Sequence, residues 1–157
     1  MLVLAATLFA ESKNDRRVPT IDELLQIETI GAVQISPDGK WVAYTRNSTD
    51  FDNDAFVNHI WLIDTATGNS FQLTRGEKSA SSPQWSPNGQ WLAFTSSREG
   101  DKNQIFAIRP IGGEAVRLTD AENGVGGFEW SPDGKSIAFL ATDAESKEMK
   151  ARKEHVG

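Results

Sequence analysis

The chain of 157 residues has no cysteine, one tyrosine, two histidines and two methionines. Without cysteine, disulfides and thiolate zinc sites are excluded, although the redox compartment stays open. The two histidines, His59 and His155, stand far apart in sequence, and a single imidazole does not make a metal site. Positive charge is scarce too: 16 Lys and Arg face 22 Asp and Glu, a net charge of −6. No basic stripe is present to neutralise phosphates, which argues against a nucleic-acid partner. The apolar opening, Met1 to Ala10, is far too short to span a bilayer. It fits the apolar part of a secretory signal, with small residues at Ala10 and Ser12 around a cleavage point, but lacks the basic start. A frayed apolar terminus is the other reading. A serine nucleophile elbow, Gly-x-Ser-x-Gly, occurs nowhere in the chain.

What the chain does have is one phrase written three times: Ser36-Pro37-Asp38-Gly39-Lys40, Ser86-Pro87-Asn88-Gly89-Gln90 and Ser131-Pro132-Asp133-Gly134-Lys135. Proline presets φ for the second position of a type I turn, Asp or Asn suits the third, and Gly takes the positive φ that follows. Such a turn reverses one strand into the next through a small bulge. The flanks agree. Val33-Gln34-Ile35, Pro83-Gln84-Trp85 and Phe128-Glu129-Trp130 lie upstream; Trp41 to Thr45, Trp91 to Thr95 and Ser136 to Leu140 lie downstream. They are short, aromatic and β-branched, as strands are.

The downstream strand is apolar on both faces, so it belongs to a sheet covered on both sides. Ala recurs at its centre (Ala43, Ala93, Ala138), which predicts close packing there. Two further strands follow in the first two copies: His59 to Asp64 and Ser70 to Thr74, then Gln104 to Ile108 and Ala115 to Thr119. Trp61 to Phe106, Leu73 to Leu118 and Ser86 to Ser131 are each 45 apart, whereas Ser36 to Ser86 is 50, so five residues are added in the first copy. Four antiparallel strands per ~40–50 residues is the period of a β-propeller blade. Small residues at Ala32, Ser82 and Gly127 suit the start of the innermost strand, near the axis.

The expected fold is therefore all-β: a partial β-propeller of about two and a half four-stranded antiparallel blades, preceded by a short helix. Residues 1–18 form the lead-in, 19–30 the helix, 31–76 blade 1, 77–121 blade 2, and 122–157 half of a third blade with a charged helical excursion. Closed propellers hold ~4–8 blades, so the chain reads as a piece of a longer protein. The helix follows from Thr20-Ile21-Asp22-Glu23, a capping box, and is expected to run to about Ile27 and bury Ile21, Leu24 and Leu25. In the tail, Glu148 and Arg152 form a helix-supporting pair, and the charged stretch reads as a solvated helix.

Residues that recur in every copy are explained by the fold, so function belongs where the copies differ. Asp38, Asn88 and Asp133 are then turn residues, not catalytic carboxylates. Gln34, Gln84 and Glu129 share one register on the innermost strand; they line the channel or, in preference, hydrogen-bond between blades. The added residues contain Asp50, Asp52 and Asp54, alternating as in a calcium loop. An EF-hand needs Gly and Glu where Ala55 and Trp61 stand, so a solvated acidic hairpin loop is favoured over a cation site. Asn47-Ser48-Thr49 is a glycosylation sequon by pattern. His59 reads as a strand-edge residue. No catalytic, cofactor-binding or metal-binding residue is assigned, and no cofactor is expected.

The repeat Trp-Ser-Pro-Asp-Gly-Lys, apolar-Ala-Phe, Ile-Phe, Gly-Gly, Leu-Thr resembles the propeller repeat of two groups. They are the prolyl oligopeptidase family of serine peptidases and the periplasmic propeller of the Tol translocation system. The capped helix leading into Gln34 to Tyr44, the addition in blade 1 and the charged stretch after the third turn favour the acylaminoacyl-peptidase and dipeptidyl-peptidase-like branch. The resemblance covers residues 18 to 157. It implies a propeller capping a C-terminal α/β-hydrolase domain, with access restricted to short peptides. The partner would be a peptide substrate, reached through that domain, and the address periplasmic or secreted, with the cytoplasm second. The Ser-Asp-His triad would lie outside this chain, because neither His59 nor His155 accompanies a serine in a matching context. The Tol-type alternative is a protein-binding propeller without chemistry.

Overall fold

The computed structural model describes residues 18–142. The apolar start and the charged stretch 143–157, with the signal, tail-helix and His155 readings, lie outside the described residues. The described part holds one short helix, α1 (Ile21–Leu25), and ten strands. Blade 1 is β1 (Thr29–Ile35), β2 (Trp41–Asp50), β3 (Ala55–Asp64) and β4 (Ser70–Gln72); blade 2 is β5 (Ala80–Trp85), β6 (Leu92–Ser96), β7 (Gln104–Ile108) and β8 (Val116–Arg117). β9 (Val125–Trp130) and β10 (Ile137–Ala141) form a third sheet. All pairings are antiparallel, and in each four-stranded sheet the spatial order equals the sequence order, the meander of a propeller blade.

The two-sided apolar strands have a direct explanation in blade 2, where every residue of β6 and β7 is buried. Leu92, Phe94, Phe106 and Ile108 pack with Ala43, Ile60 and Leu62 of blade 1. Their alternates, Ala93 and Ile105, pack with Val125 and Phe128 of the third sheet. One strand thus feeds two cores, and each fully buried Phe contributes about 1.5–3 kcal/mol. The recurrent Ala sits on the side of the following blade: Ala43 towards blade 2, Ala93 towards the third sheet.

Blades are also joined by hydrogen bonds in a repeating pattern. Trp85 Nε1–H donates to the Gln34 carbonyl, and Trp130 Nε1–H to the Gln84 carbonyl, both at 3.3 Å. Gln84 Nε2 donates forward to the Phe128 carbonyl at 2.8 Å and, more weakly, to Glu129 Oε1 at 3.4 Å. The register that reads Gln or Glu in sequence therefore bridges blades at Gln84. In blade 1 the Trp position is Ile35, which is exposed along with Ile30 and Val33 on the outer side of the described blades.

Ala32 and Ser82 have φ of 43° and 53° and sit where the innermost strand slips register against its neighbour. Left-handed backbone is costly for residues with a Cβ and worse for branched ones. This bulge adds a local reason for small residues there, besides nearness to the axis.

Two expectations change. The first-blade addition is not a loop: it lengthens β2 and β3 into a continuous hairpin paired as far as Asp50 and Ala55, leaving Phe51 to Asp54 as the turn. The helix ends at Leu25, and its apolar side is not buried: Ile21 and Leu24 are 76% and 51% exposed. The capping box is formed as read, but α1 is held at its end instead of by its face. Thr49 Oγ1–H donates to the Leu25 carbonyl, and Glu28 pairs with Arg46, so the helix stands beside the lengthened β2.

Replacing Trp85 by Phe removes the indole donor and leaves the Gln34 carbonyl without that partner between blades. The variant is expected to lose about 2 kcal/mol, read as a lower urea midpoint of the chain.

Candidate functional site

The thrice-written turn is a closed hydrogen-bond unit. In the first copy Gly39 N–H donates to the Ser36 carbonyl at 2.9 Å, Ser36 Oγ–H to Asp38 Oδ1 at 2.7 Å, and Lys40 N–H to the same oxygen at 3.1 Å. Ser36 Oγ in turn accepts from Trp41 N–H at 2.9 Å. The second and third copies repeat the set through Ser86 and Asn88, and through Ser131 and Asp133. The closing glycines have φ of 71°, 68° and 67°, the left-handed conformation that the turn requires. Adjacent turns also meet: a Cβ on Gly89 would lie 3.6 Å from Pro37 Cδ, and one on Gly134 3.4 Å from Pro87 Cδ. The Ser36 hydroxyl, with the Lys40 amide, holds the Asp38 carboxyl down at about 2, and Ser131 and Lys135 lower Asp133 in the same way. Asn88 performs the same role without a charge. These carboxylates are structural acceptors with no proton to exchange near neutrality.

The acidic hairpin tip has its own local structure. Asp50 accepts from the backbone of Asp52 and Asn53 at 3.1 and 3.2 Å and from Asn53 Nδ2 at 2.9 Å, and these bonds, led by the Asn53 side chain, lower its pKa. Among the described residues no group of three or more His, Asp or Glu side chains is placed to hold a metal ion. Asn47 of the sequon lies inside the strand pair, and its Nδ2 donates to Asn58 Oδ1 at 3.1 Å. A glycan would have to attach to that engaged nitrogen.

The departure from the repeat that carries buried, unengaged polar chemistry lies between blades 1 and 2. Arg98 follows β6, and its guanidinium packs on the rings of Phe94 and Phe106, with Cζ 5.1 and 5.5 Å from their centroids. Those rings stack on each other across β6 and β7 and are fully buried. Among the described residues, Arg98 Nε and Nη2 are buried without a hydrogen-bond partner, and so is Nδ1 of His59 on β3. Burial pulls the pKa of Arg98 down, and Glu99 opposes this. His59 is lowered by burial first and by the Arg98 charge second. A groove of about 640 Å³ runs along Arg98 between the outer strand of blade 1 and the outer part of blade 2, lined by Phe71, Leu73, Arg75, Ile108 and Ala115 among others. Sequence reading placed His59 at a strand edge and passed over Arg98. The available signal was a cation two residues beyond an apolar strand, where blade 1 has Ser48. A second cavity, about 400 Å³ between blade 2 and the third sheet, is lined mainly by Trp91, Val116, Leu118, Trp130, Ile137 and Phe139, with Thr119, Lys135 and Ser136 as its polar lining.

Four-stranded meanders stacked face to face, joined by indole-to-carbonyl bonds and counted off by one turn motif, define a β-propeller. The chain belongs to the TolB beta propeller domain family (PD40), whose model matches residues 25–156. It is 37% identical over 97 residues to the uncharacterized peptidase YuxL of Bacillus subtilis, covering 62% of this chain and 15% of that protein. It is 28% identical over 93 residues to dipeptidyl-peptidase 5 of Porphyromonas endodontalis, covering 59% of this chain and 13% of that one. Among solved structures, a putative TolB from Agrobacterium tumefaciens superposes with a TM-score of 0.56 at 34% identity, over 72% of this chain and 38% of that one. The chain thus spans a small part of its peptidase relatives and well under half of the TolB structure. It is a propeller domain related to peptidase propellers and to TolB alike. Among the described residues, no helix is long and apolar enough to cross a membrane.

Two outcomes test the electrostatics. Asp38→Asn is expected to lower the unfolding midpoint modestly at pH 7, because Asn keeps the turn geometry, as Asn88 does, but not the charge, while Asn88→Ala loses about 1 kcal/mol. The Asp38 contribution is present above the unfolded value of 3.8 and lost as pH falls through about 2, so Asp38→Asn also blunts acid denaturation. His59, with its folded pKa lowered below 6.5, binds its proton more readily when unfolded. Stability should therefore fall as pH drops below 6.5 towards the folded pKa, and His59→Gln should lose less over that interval in urea titrations at stepped pH.

Proposed function

We propose that the chain is the N-terminal propeller part of a serine peptidase of the prolyl oligopeptidase family that hydrolyses short peptides, releasing aminoacyl, acylaminoacyl or dipeptidyl units. The propeller itself is non-catalytic. Its work is to gate and filter, admitting short peptides to a hydrolase domain and excluding folded proteins. The 37% identity to a protein named as a peptidase carries this reading. The capped helix running directly into blade 1 and the lengthened first-blade hairpin support it. A peptide is the expected substrate, and a periplasmic or secreted location goes with it, the cytoplasm being second.

A second reading has its own support in the 34% identity to a putative TolB structure. Here the chain is part of a binding propeller with protein partners and no chemistry. One experiment separates the two. The full reading frame is expressed and exposed to a serine-reactive fluorophosphonate, and the reading frame downstream is searched for Gly-x-Ser-x-Gly. Labelling at that serine is expected under the peptidase reading. A full-length protein that lacks the motif and does not label overturns it in favour of the binding propeller. The 157-residue chain alone should release no chromophore from aminoacyl nitroanilides.

A further inference from the structure

The third sheet has two strands among the described residues. β10 pairs with β9 alone, whereas its counterparts β2 and β6 are each flanked on both sides. Phe139 and Leu140 of β10 are exposed. Ser131 N–H bonds the Ser136 carbonyl at 2.8 Å, so by antiparallel alternation the amides of Ile137 and Phe139 point to the open edge. Beside that edge lies the 400 Å³ cavity, walled by Trp91, Val116 and Leu118 of blade 2 and by Ile137 and Phe139. Trp130 and Ile137 belong both to this wall and to the core around Ala93, Ile105, Val125 and Phe128, so the cavity continues an existing interface between sheets. An open strand edge beside an unfilled apolar cavity fits an added strand. The edge offers backbone bonds, and the cavity takes alternate side chains.

The register specifies the occupant. Tyr44 pairs with Trp61 and Val42 with Ile63 in blade 1, and Phe94 with Phe106 and Leu92 with Ile108 in blade 2. The same positions of the third sheet, 45 residues on, are Phe139 and Ile137. A strand laid on β10 thus presents two large apolar side chains, two residues apart, to the cavity. Residues 143–157 do not supply them. Met149 and Val156 are the large apolar residues there, seven apart, and the 45-residue spacing would bring Ala151 and Lys153. A lysine ammonium in an apolar cavity is costly. A second copy paired through β10 is excluded as well, because the twofold perpendicular to the joined sheet would bring both copies of blade 2 beneath the same strands.

We propose that the β10 edge and its cavity are the docking site of one extended segment, antiparallel to β10, with large apolar residues opposite Ile137 and Phe139. Its source is the polypeptide beyond the charged stretch. That source rests on the reading of the chain as part of a longer protein; the site itself does not. Residues 143–157 are then an insertion within the third sheet, leaving it at the end where blade 1 carries its lengthened hairpin.

The probe is an acetylated and amidated peptide copying Asn103 to Asp120, the β7–β8 hairpin, titrated into the 157-residue chain and followed by amide NMR. Saturable binding is expected, with amide exchange of Ile137 and Phe139 slowed about tenfold or more and that of β1 unchanged. Phe106→Lys with Ile108→Lys in the peptide should weaken binding about tenfold or more. Ile105→Lys with Ala107→Lys should weaken it less than about threefold, because that pair faces away from the cavity. In the chain, Leu118→Lys puts a charge in the cavity wall away from the β10 edge and should weaken binding as much as the first pair. Should that variant not fold, the two lysine peptides decide with the parent chain. No saturation at millimolar peptide, equal weakening by both lysine pairs, or protection of β1 in place of β10 overturns the site. The downstream reading frame tests the source, and a segment of this alternation is expected beyond the charged stretch. Peptide binding together with a frame that stops near Gly157 overturns the longer-protein reading and the source. A long frame without peptide binding overturns the site alone.

Discussion

A blade of this protein has two apolar faces, and a four-stranded sheet cannot cover either face with its own residues. Blade 2 is covered because blade 1 lies against Leu92, Phe94, Phe106 and Ile108 while the third sheet lies against Ala93 and Ile105. Everything else is arranged to hold that stacking in register. The Trp85 and Trp130 indoles, with Gln84, carry polar contacts across a mainly apolar seam, fixing one blade's height against the next. The turns stack as well, with Pro37 beneath Gly89 and Pro87 beneath Gly134. A closed hydrogen-bond set inside each turn makes it rigid enough to serve as a spacer.

Repetition also separates structural residues from candidates for recognition. Ser36, Asp38 and their counterparts place a hydroxyl and an acid together three times, an arrangement that taken singly resembles chemistry. The hydrogen bonds engage both groups within the turn, and Asn88 shows that charge is dispensable there. Arg98 is the opposite case. Blade 1 has Ser48 in its place, no turn or ladder requires it, and its Nε and Nη2 have no hydrogen-bond partner among the described residues.

Much of the fold was legible because turn chemistry and strand patterning are local. The phrase Ser-Pro-Asp-Gly carries its own geometry, and the alternation of Leu92, Ala93 and Phe94 already implies two covered faces. Less legible were the features set by neighbours. The apolar side of α1 is exposed while Thr49 holds its end and Arg46 holds Glu28 just beyond it, and no local pattern reports a partner some twenty residues away. Asp50 to Asp54 reads as a loop by composition, yet the strands on either side continue pairing as far as Asp50 and Ala55. Arg98 was passed over because an isolated arginine after a strand looks like a solvated one; only the rings of Phe94 and Phe106 and the facing blade make it a buried donor.

By itself, then, the sequence determined the all-β meander, the placing of its turns, the period of its blades and the capping of helix α1. Each of these follows from dihedral preference and side-chain alternation within a few residues. The tertiary structure decided which face of each strand meets which blade, where the indole and Gln84 bonds cross between blades, and which polar edge is left without a partner. Those outcomes depend on groups some 40–50 residues apart, which only the stacking of blades brings together.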